Sequence, residues 1–228
     1  MLEIAPRAEL MRSLGRLVRG LSALFWGLPL ALVVSVYVAT NEWAQFQQSF
    51  APVIICGLLL YGLHLLSDFQ KGERAWREAL DRTKLLAIVN LGLSPFVYWY
   101  NRFPQIPFFS AAVFLLMVSG LLFLFNLNHV VQRLAAMLPD ETLRSETRVF
   151  GNLNISLLSA IVLVFGLLFL LRQIGNVLPP ALMNFLRGME IVRYWLLIFL
   201  ILLPMAMTMT LIWKIKEVIF ASVFSHEH

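Results

Sequence analysis

FFSAAVFLLMVSGLLFLFNLNHVVQRL, residues 108–134, carries no charged side chain before Arg133. A helix that crosses the hydrocarbon core of a bilayer needs roughly 20 apolar residues in a row, because lipid leaves an open backbone N–H or C=O without a partner. Residues 108–128 meet that length unaided. The stretch ends on Asn126, Asn128 and His129, and polar groups at such a depth usually face another helix or a wet cavity.

The rest of the chain is like this stretch. Of its 228 residues 60% are hydrophobic and 14% charged, whereas soluble domains run near 45–50% and 25%. Cys56 is the single cysteine, so an intramolecular disulfide is impossible and a Cys-based zinc or iron–sulfur site lacks ligands. Lys and Arg number 18 against 13 Asp and Glu, but they sit in short segments between apolar runs. There they set membrane orientation, and nucleic acid is not an expected partner.

Six apolar runs stand out, at about 21–40, 52–67, 85–100, 108–128, 153–171 and 191–213. The expected fold is an all-α integral membrane protein of six transmembrane helices. Residues 1–20 form a cytoplasmic basic amphipathic segment and 214–228 a cytoplasmic tail. The first run has the length of a full span and no A-x-A exit, so it reads as a retained helix, not a cleaved leader. The second and third runs are short and hold Gly57, Gly62 and Ser94-Pro95, which fit a tilted hairpin or a partial crossing. With the N-terminus inside, fourteen of the eighteen basic residues fall on the cytoplasmic side, and only Arg102, Arg172, Arg187 and Arg193 fall outside. The bias predicts an N-in, C-in topology in a bacterial-type inner (plasma) membrane. Trp43, Tyr98, Trp99, Tyr100, Tyr194 and Trp195 mark the outer rim and Trp213 the inner one. The third outer loop holds VLPPALMNFL, residues 177–186, which fits a segment resting on the membrane surface.

The two inner connections, 68–84 and 129–152, read as helical. In the first, Phe69, Trp76 and Leu80 recur at helical spacing beside Glu73/Arg77 and Glu78/Arg82 at i,i+4, which predicts an amphipathic helix continuing the second span. In the other, Val130, Leu134, Met137 and Leu138 share one side before a break and restart at Pro139-Asp140. Sliding the sequence by 64 aligns Thr83 with Thr147, Lys84 with Arg148, Asn90 with Asn154 and His64 with Asn128. Three similar antiparallel hairpins are one way to read that alignment.

Chemistry-bearing side chains gather at the inner ends of the spans: His64, Asp68, Asn90, Asn126, Asn128, His129 and Asn154. At i,i+4 His64 and Asp68 can share a hydrogen bond, which makes them the candidate proton site. Otherwise the cluster forms an inner-leaflet pocket, or its members bond helix to helix, the commoner use of such groups. His64 and His129 are the one conceivable haem pair, but nothing in the sequence fixes their geometry, and no cofactor is expected. Met205, Met207 and Met209 alternate round the helix, so they read as core filling and not as a copper site. Pro204 predicts a kink whose lost hydrogen bond Thr208 and Thr210 resupply. Glu190 and Arg193 pair at i,i+3, and the terminal SHEH is not an expected metal site.

The sequence holds no G-x-S-x-G, H-E-x-x-H or Walker motif, and no carboxylate pair within a span. The expected protein is a non-catalytic membrane subunit or scaffold in the lipid bilayer, with a protein partner or a homo-oligomer docked on its charged cytoplasmic helices. Two other readings stand beside it: a small channel or transporter using the inner-leaflet pocket, and a membrane electron carrier or enzyme with an unseen cofactor.

Overall fold

The computed structural model describes the backbone of residues 4–41, 50–70, 72–103, 105–138, 141–174 and 190–224, and the side chains of 11–41, 50–70, 72–103, 105–138, 144–164 and 201–221. Trp43, residues 177–186, residues 225–228 and the side chains of Glu190, Arg193, Tyr194 and Trp195 lie outside them. Among the described residues every regular element is an α-helix: α1 (Ile4–Thr40), α2 (Phe50–Leu66), α3 (Arg74–Leu93), α4 (Phe96–Arg102), α5 (Pro107–Met137), α6 (Glu141–Ile174) and α7 (Glu190–Phe224). Met11–Thr40, Pro107–Met137 and Arg144–Val164 are long and apolar enough to cross a membrane, and Phe50–Leu66 is apolar but shorter.

Spatial order follows chain order. α1 packs on α2, α2 on α3, α3 on α5, α5 on α6, α6 on α7, and α7 returns to α1. The helices therefore close a ring, with α4 held between α1 and α5, and α7 also touching α5 across the ring. Gly20 meets Gly62 and Leu66 while Gly27 meets Leu59, so α1 and α2 run antiparallel. Glu146 pairs with Lys214 and Asn154 bonds Thr208, so α6 and α7 do too. The ring closes on one aliphatic core, in which Leu21, Leu63, Leu127, Leu134, Ile161, Leu211 and Ile215 are all at most 1% exposed. Outward, Ile54, Leu163 and Trp26 are 69%, 68% and 63% exposed, an apolar belt far larger than water tolerates on a monomer.

Two elements differ from the expected spans. The run 85–100 is split, because Pro95 has no N–H for the carbonyl of Leu91. The Ser94 hydroxyl donates to that carbonyl at 2.8 Å, the chain turns, and α4 restarts at Phe96. The amphipathic segment also changes owner: it does not continue α2 but forms the first half of α3. α2 ends at Leu66 in tight bonds from Ser67 N to His64 O and from Phe69 N to Leu66 O, both 3.1 Å. Gln70 then adopts φ 44°, in the left-handed region. Trp76, fully buried, donates its indole N–H to Phe69 O at 3.1 Å and pins the turn. Glu78 is taken by Arg74, at 3.0 Å, instead of by the expected Arg82. The break near Pro139 falls where the sequence places it, between Met137 and Glu141.

Residues 4–20, most of the basic segment, are one continuous helix with the first apolar run, and Pro29 does not interrupt it. In α7 the carbonyl freed by Pro204 is that of Leu200. Thr208 and Thr210 do not resupply it: their hydroxyls donate to Pro204 O and Ala206 O, at 2.8 and 2.9 Å. A threonine reaches back one turn along its own helix, and from 208 one turn back is 204.

Candidate functional site

The seven polar candidates do not form one cluster. Asp68 accepts from Arg16 Nη1 of α1 at 2.5 Å, which ties the turn after α2 to the facing helix. His64 is exposed, and its carbonyl accepts from the Ser67 hydroxyl at 2.6 Å. Both imidazoles of the conceivable haem pair, His64 and His129, point away from the core on helices that are not neighbours in the ring. Asn126 spends its Nδ2 on Leu122 O of its own helix, at 2.8 Å.

Three asparagines instead link one helix to the next. Asn90 of α3 meets the Ser119 hydroxyl of α5, which also lies 3.0 Å from Leu116 O. One hydroxyl proton cannot serve two acceptors, so turning the Asn90 amide over lets Nδ2 donate to Ser119 while Ser119 donates to Leu116 O. Asn154 of α6 has that arrangement. Its Nδ2 donates to Thr208 Oγ1 at 2.8 Å, and Thr208 donates back to Pro204 O. Positions 90 and 154, aligned by the 64-residue slide, thus do the same work: an amide on the first helix of a hairpin bonds a hydroxyl on the second. Asn128, fully buried, donates from α5 to Gly151 O of α6 at 3.2 Å. Ser119 and Asn128 are nine residues apart on α5, about 13 Å at 1.5 Å per residue, so the Asn90 link lies at a different depth from the Asn128 link, while Gly151 and Asn154 put the other two within a turn of each other.

The seam between α5 and α6 is the exception to this tidy pairing. Asn128 Oδ1, Gln132 Nε2 and Thr147 Oγ1 are buried without a hydrogen-bond partner, as is Asn154 Oδ1 at the α6/α7 link. Leaving such a group unmade costs about 1–3 kcal/mol. Gly151 permits the crowding, since any Cβ there would overlap the Gln132 side chain. Immediately beside this seam is an open pocket of ≈ 270 Å³, lined by His129, Gln132, Arg133 and Ala136 of α5 and by Arg144, Thr147 and Arg148 of α6. Among the described residues no carboxylate lines it. Arg144 also donates to Ala136 O at 2.9 Å and so caps the end of α5. The nearby Glu146 pairs with Lys214, whose ammonium also lies 5.6 Å from the centre of the Phe150 ring.

Of the predicted candidates, the pocket takes in His129 alone; Arg133, Arg144, Thr147 and Arg148 were not singled out as site residues. Their signal was present as i,i+4 pairs on either side of the Pro139 break, His129/Arg133 before it and Arg144/Arg148 after. Among the described residues no group of three or more His, Cys, Asp and Glu side chains is placed to hold a metal ion. Comparison with family models, characterised proteins and solved structures found no match.

Proposed function

We propose that the chain is a multi-pass membrane protein whose six apolar passes form a lipid-embedded ring with both termini on the cytoplasmic side, and that it serves as a non-catalytic membrane subunit or scaffold. The observation that carries this reading is how the inward polar groups are used. Asn90, Asn128 and Asn154 each join one helix to a neighbour, with leucine and isoleucine filling the core beside them. A polar lane would need those amide N–H groups free, whereas Asn128 and Asn154 commit theirs between helices. Interhelical bonds of this kind are the ordinary glue of helices in lipid, worth about 0.6–2 kcal/mol each.

The proposed docking surface is the basic end of the ring, where Arg12, Arg19, Arg77 and Arg82 are exposed. A bacterial-type inner membrane suits the short loops and the strong basic bias. Extraction of native membranes in mild detergent, followed by mass measurement of the purified complex, tests the role. A stoichiometric protein partner or a defined homo-oligomer is expected; a lone chain that conducts solute in liposomes replaces this reading with that of a channel. Topology is tested with a cysteine at Ser145 in a Cys56→Ser background. An impermeant maleimide added outside should not label it, and labelling refutes the N-in arrangement.

A further inference from the structure

We infer that the pocket between the end of α5 and the start of α6 binds a phosphate-type anion, a phosphomonoester or phosphodiester held by Arg133, Arg144 and Arg148. Three arginines line one opening of ≈ 270 Å³ with no described carboxylate among its walls. Two acidic groups elsewhere at this end of the ring are engaged, Glu146 by Lys214 and Asp68 by Arg16. Like charges gathered without a counter-ion repel, and guanidiniums match phosphate oxygens in paired, charge-assisted hydrogen bonds.

Thr147 supplies an independent observation. It is 2% exposed, it lines the pocket, and its hydroxyl has no partner. Gln132 Nε2, another donor without a partner, belongs to the same wall. A hydroxyl and an amide N–H are donors that an anion's oxygens satisfy, and His129 adds a further imidazole at the rim. Pockets for drug-sized ligands hold about 300–1,000 Å³, so this one fits a small anion or one headgroup. Basic pockets between helices at a cytoplasmic membrane surface are also where anionic lipid headgroups bind. The lipid source rests on the proposed membrane topology, while the anion site itself does not.

The test uses the full-length protein in neutral detergent, with its thermal midpoint followed by tryptophan fluorescence. Inorganic phosphate is compared with chloride at matched ionic strength, and dioctanoyl phosphatidylglycerol with dioctanoylglycerol, which has the same chains and no phosphate. A rise with the phospholipid alone assigns a headgroup; a rise with inorganic phosphate as well assigns a soluble phosphate. Either supports the site. Arg133→Gln and Arg148→Gln, which leave the Arg144 cap in place, should each weaken the apparent affinity about tenfold, the loss of about 1.4 kcal/mol of charge-assisted bonding. Thr147→Val should weaken it severalfold while leaving the ligand-free midpoint equal or higher. The inference is overturned if neither phosphate compound exceeds its control, if the arginine variants respond like the parent, or if Thr147→Val lowers the ligand-free midpoint. Ser145 labelling on intact cells reports topology separately, so failure of the site and failure of the membrane reading are told apart.

Discussion

The seam between α1 and α2 and the seam between α5 and α6 join neighbouring helices of one ring by opposite means. Along α1/α2 glycines bring the helices close: a Cβ on Gly20 would lie 2.8 Å from the Gly62 carbonyl oxygen, and one on Gly27 would lie 2.7 Å from Leu59 Cδ2 of the facing side chain. Close approach through small residues gains dispersion contact where lipid supplies no hydrophobic drive between helices. The polar contact there, Arg16 with Asp68, is at the partly exposed end. Along α5/α6, by contrast, Asn128 Oδ1, Gln132 Nε2 and Thr147 Oγ1 are buried without partners, and the seam opens into a cationic pocket. The first seam is satisfied by its own residues. The second carries an unrecovered cost, and such a cost is retained where something other than packing needs those groups.

Breaking the steric seam should have the largest effect. Gly20→Leu drives a side chain into Leu66 and the Gly62 carbonyl, and we expect a loss of about 3 kcal/mol, the upper range for overpacking. Gly15→Leu on the same helix is the control, since nothing lies within 4 Å of its Cβ position. Unfolding in mixed detergent micelles should separate the two variants clearly. Equal midpoints would mean that α1 and α2 do not meet as described.

Next in size are the asparagine links. Asn154→Ala and Thr208→Val should each cost about 1–2 kcal/mol, and the double variant should recover roughly half of their sum, because the two groups share one bond. Strict additivity would remove that bond from the account. Here the limits of the sequence are also clearest. Helical class and the α5/α6 break at Pro139 were legible, because periodicity and proline act within one helix. The partners were not. Asn90 finds a hydroxyl 29 residues on, while Asn154 finds one 54 residues on, and only closure of the ring selects them. The turn after α2 was hidden for a similar reason: what fixes it is Trp76 folding back onto Phe69 O.

A smaller effect is expected at the end of the first seam. Arg16 and Asp68 have side chains 47% and 28% exposed, so solvent screens the pair. Arg16→Gln should cost no more than about 1 kcal/mol, and less at high salt. A loss that persists at 1 M salt would point to packing of the arginine stem and not to its charge.

His64→Leu should have the smallest effect of all, within about 0.5 kcal/mol of the parent. At i,i+4 from Asp68 the imidazole was the natural proton site in the sequence, but the structure turns it outward and gives Asp68 to Arg16. Unfolding midpoints of the parent and of His64→Leu, measured side by side in one buffer, should therefore nearly coincide. A clear loss in the variant would restore the histidine to a working role at the first seam. It would also weaken the contrast drawn above, since the first seam would then depend on a polar side chain beyond Arg16 and Asp68.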